Sequence, residues 1–346
     1  MLAAPAEQSP RPRGGNEPSS EVPPAKRFLL RLLLVSLLSV AFAVGFEIVA
    51  RVFFPKALEI RYDERNLTYR YDALLGWFPR ENSSGFYEGG VRIRVVHNSR
   101  GFRDSEHLPG GRPRIAFVGD SFVWGYDVEV EDRFTDRLRP LVPGWEIINL
   151  GVSGYGTGQE LLLLEEHFDD YRPKIVFLVY QQHDNVDNMS NQFYGYYRPY
   201  FEIENSRPVL RGVPVPKSIR YFHAQYRSAF SRSYLVRALA VVYFGLIHPP
   251  LIEVADPTLP LLQEIRDFVS VRGATLVIGL ESNDARVRRF CAQQAVRCLD
   301  LGNSMRFPGH GRHWTPEGHA WVAARIRDYL RSDVGAGRDD EKGPAS

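Results

Sequence analysis

Cysteine is almost missing from this chain. Only Cys291 and Cys298 occur, with no Cys-x-x-Cys spacing and no histidine at zinc-finger distance, which argues against metal binding through sulfur. The pair reads as two buried thiols, with a disulfide the alternative outside the cytosol. A charge excess is missing too: 43 Lys and Arg stand against 41 Asp and Glu, a formal net charge of +2. The basic residues are scattered among acids, so the expectation is no nucleic-acid partner. There is no internal repeat and no heptad run, which removes solenoids and coiled coils.

What is present divides sharply near the N-terminus. The chain has 346 residues, 44% of them hydrophobic, enough for a catalytic domain of ordinary size plus extensions. Residues 1–27 are rich in Pro, Ser, Gly and Glu without periodicity and read as a disordered, cytoplasmic tail. From Phe28 to Val49 the chain is almost continuously apolar, interrupted only by Arg31 and Glu47, and about 20 such residues span a bilayer as a helix. A cleaved signal peptide is the rival, since Lys26, Arg27 and Arg31 precede a core ending in Ala41-Phe42-Ala43. Apolar residues continue through Phe46, Ile48, Val49, Val52, Phe53 and Phe54, which favours an uncleaved membrane anchor over 28–54. The expected arrangement is single-pass, with the large domain on the extracytoplasmic, periplasmic side.

Residues 56–110 form a β-rich lead-in, marked by the period-two stretch Val91-Arg92-Ile93-Arg94-Val95-Val96. From 111 to about 335 the pattern alternates: strand 114–118, helix near 131–141, strand 145–150, helix 157–170, strand 174–180, then helix 258–272, strand 274–280, helix 284–295, strand 296–300 and helix 316–331. Such alternation predicts an α/β fold, a parallel sheet covered by helices on both faces, with active residues at the carboxyl ends of the strands. An insertion at about 190–257 is rich in aromatics, among them Phe193, Tyr194, Tyr196, Tyr197, Tyr221, Phe222 and Tyr226. It reads either as a lid or substrate-binding wall or as a packed satellite subdomain. Residues 336–346 read as a disordered tail.

The strand Arg114-Ile115-Ala116-Phe117-Val118 runs straight into Gly119-Asp120-Ser121. A serine where a strand ends and a helix begins has an exposed hydroxyl and nearby backbone N–H groups able to receive an oxyanion. The second strand ends in the glycine-rich turn Asn149-Leu150-Gly151-Val152-Ser153-Gly154-Tyr155-Gly156-Thr157, where backbone N–H groups can approach a ligand closely. The third ends in Gln181-Gln182-His183-Asp184. Near the C-terminus, Gly311-Arg312-His313-Trp314-Thr315-Pro316 contains a helix start with Thr315 as N-cap and Pro316 at the first helical position. His313 therefore falls just before a helix N-terminus, whose positive end favours the neutral imidazole a general base requires. His319 shares a helical stripe with Val322, Ile326 and Tyr329, so a packing role is expected.

These four blocks, in order, resemble the SGNH hydrolases, also called the GDSL esterase and lipase family. The run Asn98-Ser99-Arg100-Gly101-Phe102-Arg103-Asp104 extends the likeness to roughly residues 92–331 and resembles membrane-anchored members. The absence of a G-x-S-x-G elbow argues against an α/β-hydrolase. The resemblance implies a three-layer α/β/α sandwich with a flavodoxin-like parallel sheet, preceded here by one transmembrane helix. It implies Ser121 as nucleophile and oxyanion donor through its N–H, Gly154 as a second oxyanion donor and His313 as base, with no metal and no organic cofactor. Two positions depart from the family pattern: His183 stands where Asn normally donates to the oxyanion, and Gly311 and His310 stand where an Asp normally precedes the catalytic His.

The expected activity is serine-dependent hydrolysis or O-acyl transfer on an extracytoplasmic, cell-envelope ester, such as an acetylated glycan or a lipid-linked substrate. The alternative is a degenerate domain that binds glycan or an assembly partner. A metal site from His183, His310, His313 and Asp184 is a third reading, weakened because these residues come from distant segments.

Overall fold

A computed structural model describes residues 23–59, 68–107, 110–221 and 232–339. Residues 1–22 of the tail expected at 1–27, residues 340–346 of the tail expected at 336–346, and Phe222 and Tyr226 of the insertion lie outside the described residues. The chain divides into two compact units, Met1–Leu58 and Glu59–Ser346.

The described residues of the first unit contain one helix, α1, Pro24–Phe53. It begins earlier than expected because Pro24 takes the first helical position, where its missing N–H costs nothing. Its 30 residues are long and apolar enough to cross a membrane, about 45 Å at 1.5 Å per residue. Glu47 and Arg51 pair one turn apart at 2.6 Å, so the acid inside the apolar run has a local counter-ion.

The second unit opens with two antiparallel hairpins: β1 (Tyr69–Asp72) with β2 (Gly76–Pro79), and β3 (Ser84–Glu88) with β4 (Arg92–Val96). Burial alternates along β4, with Ile93 and Val95 inward, as the period-two pattern requires. The α/β part follows: β5 (Arg114–Gly119), α2 (Ser121–Trp124), α3 (Phe134–Leu138), β6 (Glu146–Asn149), α4 (Thr157–Tyr171), β7 (Ile175–Tyr180) and α5 (Asp184–Asn188). The insertion contributes the hairpins β8 (Gln192–Phe193) with β9 (Tyr196–Tyr197) and β10 (Tyr200–Glu204) with β11 (Arg207–Arg211), then α6 (Tyr234–Ile247). The chain closes with α7 (Thr258–Val271), β12 (Thr275–Leu280), α8 (Ala285–Gln294), β13 (Arg297–Asp300) and α9 (Pro316–Asp339).

The five parallel strands order as β6-β5-β7-β12-β13, the flavodoxin-like sequence 2-1-3-4-5. Alternate side chains serve opposite faces. Ala116, Val118, Val176, Leu178, Leu276 and Ile278 pack toward α4, α7 and α8. Ile115, Phe117, Ile175, Phe177 and Val277 pack toward α3 and α9. Each fully buried side chain of this size contributes roughly 1.5–3 kcal/mol, and two such interiors back to back make the three-layer α/β/α sandwich.

Two expectations need correction. The helix expected near 131–141 is three short pieces: a 3₁₀ turn at Val130–Asp132, α3, and a second 3₁₀ turn at Arg139–Leu141. Arg133 is extended between the first two, and Pro140 supplies no N–H to continue α3 as an α-helix. The cysteines are not free thiols: Cys291 on α8 is bonded to Cys298 on β13. Helix α8 ends with Ala295 in the left-handed conformation, which folds the chain back and brings the two Cα atoms to 6.0 Å, an ordinary disulfide span.

Candidate active site

Ser121 is the first residue of α2, immediately after β5. Asp120 caps that short helix by accepting from Phe122 N–H at 2.9 Å, and Gly125 ends it in the left-handed conformation. The serine is thereby held on a tight turn at the carboxyl edge of the sheet. His313 arrives from the other end of the chain, ahead of α9, whose start is fixed as expected by Thr315 Oγ1 accepting from Gly318 N–H at 3.3 Å. Nε2 of His313 lies 2.9 Å from Ser121 Oγ. The imidazole is buried and stacked on Tyr126, with ring centres 4.3 Å apart. Gly311 has φ +78, and a Cβ there would fall 2.3 Å from His313 Cε1, so the ring's position requires glycine.

Sequence reasoning missed the carboxylate. Asp127 is buried, and its Oδ2 lies 3.8 Å from His313 Nδ1, an ion-pair separation on the side of the ring opposite the serine. Asp127 has φ +64 and accepts through Oδ1 from Gly90 N–H at 3.0 Å and Val91 N–H at 3.3 Å. Those donors sit in the turn joining β3 to β4. A Cβ on Gly89 would fall 2.7 Å from Asp127 Oδ1, so that turn needs glycine to approach the carboxylate. The sequence singles it out in no way, since Glu129, Glu131 and Asp132 follow within five residues.

The run Asn98–Asp104 acts behind this arrangement. Asn98 Oδ1 accepts from Arg100 and Phe102 N–H, both at 3.0 Å, and closes a turn. Arg103 is buried and spends its guanidinium on carbonyls: Nη1 donates to Trp124 at 3.2 Å and Gly125 at 2.6 Å, Nη2 to Arg94 at 3.2 Å and Val128 at 2.9 Å. It therefore ties the segment carrying Asp127 to β4. Burial and the neighbouring Arg133 lower its pKa to about 9. Asp104 Oδ2 accepts from Asn149 N–H at 2.8 Å, joining the same run to the end of β6.

Gly154 and His183 both line the cleft with Ser121. Neither the N–H of Ser121 nor that of Gly154 has a hydrogen-bond partner among the described residues. His183 is exposed; its backbone N–H donates to Gln181 Oε1 at 3.4 Å. Gln181 turns inward and donates through Nε2 to Asp120 Oδ2 at 2.9 Å. Beneath the serine lie three buried carboxylates. Burial raises Asp120 to about 6, against the Phe122 N–H and Gln181 that favour its charge and with Glu281 and Asp187 adding to the rise. Burial, and then the charges of Asp120 and Asp187, push Glu160 well above the usual carboxylate range, and burial, and then the charges of Glu160 and Asp120, do the same to Asp184. His319 is packed, as expected: it stacks on Phe134 and accepts from Phe134 N–H at 3.2 Å, and burial lowers its pKa to about 3.

The cleft measures about 1220 Å³. Phe193, Tyr194 and Arg220 of the insertion line it, as do Tyr87 and Tyr126. No group of three or more His, Cys, Asp or Glu among the described residues is placed to hold a metal ion.

A parallel α/β/α sandwich with a serine and a histidine at its carboxyl edge is the architecture that the resemblance to the SGNH hydrolases implies; a carboxylate from the segment after α2 lies outside that expectation. No family model matches this sequence, and no curated protein matches it. Among solved structures it is similar to a member of the lipolytic G-D-S-L family from Veillonella parvula, with 13% identity over 64% of this chain and 100% of that one, TM-score 0.35. It is also similar to the psychrotrophic esterase EstA from Pseudoalteromonas, 11% identical over 64% and 98% of the two chains, TM-score 0.37. A third is Est24, a carbohydrate acetylesterase from Sinorhizobium meliloti, 12% identical over 64% and 99%, TM-score 0.36. At such identity and overlap the roles of individual residues rest on the geometry of this site alone.

Proposed function

We propose that this protein is a membrane-anchored serine esterase or O-acyltransferase. The observation that carries the reading is the line Ser121 Oγ, His313, Asp127, with 2.9 Å on one side of the imidazole and 3.8 Å on the other. Nucleophile, base and orienting carboxylate are then all present, with the acid supplied from the segment after α2 rather than from beside the histidine.

His313 Nε2 takes the Ser121 proton as Oγ attacks the ester carbonyl, and the Asp127 carboxylate faces the imidazolium that forms. The N–H groups of Ser121 and Gly154, with the His183 imidazole, receive the oxyanion. The C–O bond of the leaving alcohol breaks as His313 returns the proton to it. Water resolves the acyl-serine in hydrolysis; a sugar hydroxyl resolves it in transfer. All of this needs side chains and backbone already in place, without metal or organic cofactor.

The substrate we infer is an ester on a cell-envelope glycan or lipid-linked sugar, and the site we infer is extracytoplasmic. Aromatic faces and amide side chains along the cleft suit sugar rings, and the Cys291–Cys298 bond suits an oxidising compartment. The test is labelling of the full chain in detergent with a fluorophosphonate, beside acetate release from an O-acetylated polysaccharide. Labelling and release by the wild type, absent from Ser121→Ala and His313→Ala, is the expected result. A folded wild-type chain that neither labels nor releases acetate overturns the proposal.

A further inference from the structure

Residues 205–252 contain seven Lys or Arg and no Asp or Glu, in a chain whose acids and bases otherwise nearly balance. Inside that stretch lies α6, begun by Ser233 accepting from Val236 N–H at 3.3 Å. Its later turns are bare: Leu239 is 61%, Val242 58%, Tyr243 59%, Leu246 82% and Ile247 54% exposed. Only Ala240 of the helix is buried. Leaving a large aliphatic side chain in water forgoes roughly 1.5–3 kcal/mol, and here several stand together. Fourteen residues make about 21 Å of helix, short of a bilayer core of about 30 Å.

We propose that α6 is an interfacial helix that docks the second unit on the anionic surface of a lipid bilayer, with its apolar turns among the acyl chains and the surrounding cations at the headgroups. A short, apolar, acid-free helix in a basic stretch has the chemistry of such helices. Charge chooses lipid over a protein partner. The acid-free run extends on both sides of the helix; of its cations Arg211 is paired with Glu202 and Glu204 and Arg220 lines the cleft, and the other five complement a continuous anionic surface rather than one apolar groove. The proposal goes beyond the esterase reading and does not depend on Ser121 acting.

The experiment uses the full chain reconstituted in vesicles. Both native cysteines are in the disulfide, so Leu246→Cys creates a single site for an environment-sensitive fluorophore. Val271→Cys, at a residue 86% exposed on α7, is the control. Lipids carrying a quencher in the acyl chain are expected to extinguish most of the fluorescence at 246 and little at 271. The difference is expected to grow severalfold from phosphatidylcholine to phosphatidylglycerol vesicles and to shrink with salt. Equal, weak quenching at both positions overturns the proposal. So does a label at 246 that is shielded from aqueous iodide yet insensitive to quencher lipid, since the occupant is then a protein or a second copy of this chain.

Discussion

On the rim of the cleft formed after β5, each functional group is held by another behind it: Ser121 by His313, His313 opposite Asp127, Asp127 by two N–H groups of the β3–β4 turn. On the rim formed after β7, His183 is exposed and its imidazole has no hydrogen bond among the described residues, while Gln181 has turned away to Asp120. The difference separates two demands on one site. A base must be set before substrate arrives, because misalignment by about 1 Å costs orders of magnitude. An oxyanion donor on a flexible side chain can settle against the substrate, at the cost of less preorganisation.

Removing the chemistry of the rigid rim has the largest expected effect. Ser121→Ala and His313→Ala each lower kcat by about 10⁶-fold, the scale for a complete triad, with KM little changed. Asp127→Asn is expected next, at about 10⁴-fold in kcat, with unchanged fluorophosphonate access to the cleft. A loss under about tenfold places the orientation of His313 elsewhere and breaks the comparison. His183→Ala on the loose rim is expected to cost about 10²-fold, the low end for an oxyanion donor, and His183→Asn to restore most of it. A loss as large as that of Asp127→Asn makes the two rims equivalent.

The smallest effect is on stability and sharpens what lies under the serine. Asp120 titrates near 6 in the fold and near 3.9 when unfolded. Between these values the unfolded state sheds its proton first, so the stability this group contributes is complete below about pH 4 and lost as pH rises through 6, roughly 3 kcal/mol in all. Asp120→Asn keeps a good helix cap and is expected to flatten the fall in Tm between pH 4 and 7. A variant with the same slope as wild type assigns the dependence to Glu160 and Asp184 instead.

The sheet was legible because strands buried on both faces are short apolar runs separated by helix-length segments; β5, β7 and β12 lie within a residue of their expected ranges. The broken helix at 130–141 was not, because the extended Arg133 answers to tertiary contacts: its guanidinium is buried against Asp136 at 2.7 Å. Ser121 and His313 were legible from what surrounds them, a strand end and a helix start. Asp127 was not, because its partner is 186 residues away in sequence and its donors come from a hairpin whose turn has no signature beyond Gly89-Gly90. The disulfide was only the alternative reading for a similar reason: the left-handed Ala295 that turns Cys298 back beside Cys291 has no sequence signature.

The β3–β4 turn lies 37 residues before the carboxylate it holds and ahead of the first strand of the parallel sheet. The carboxylate facing His313 is therefore anchored from outside the parallel sheet: its two N–H donors belong to a separate hairpin, so the β3–β4 turn couples the lead-in directly to the cleft.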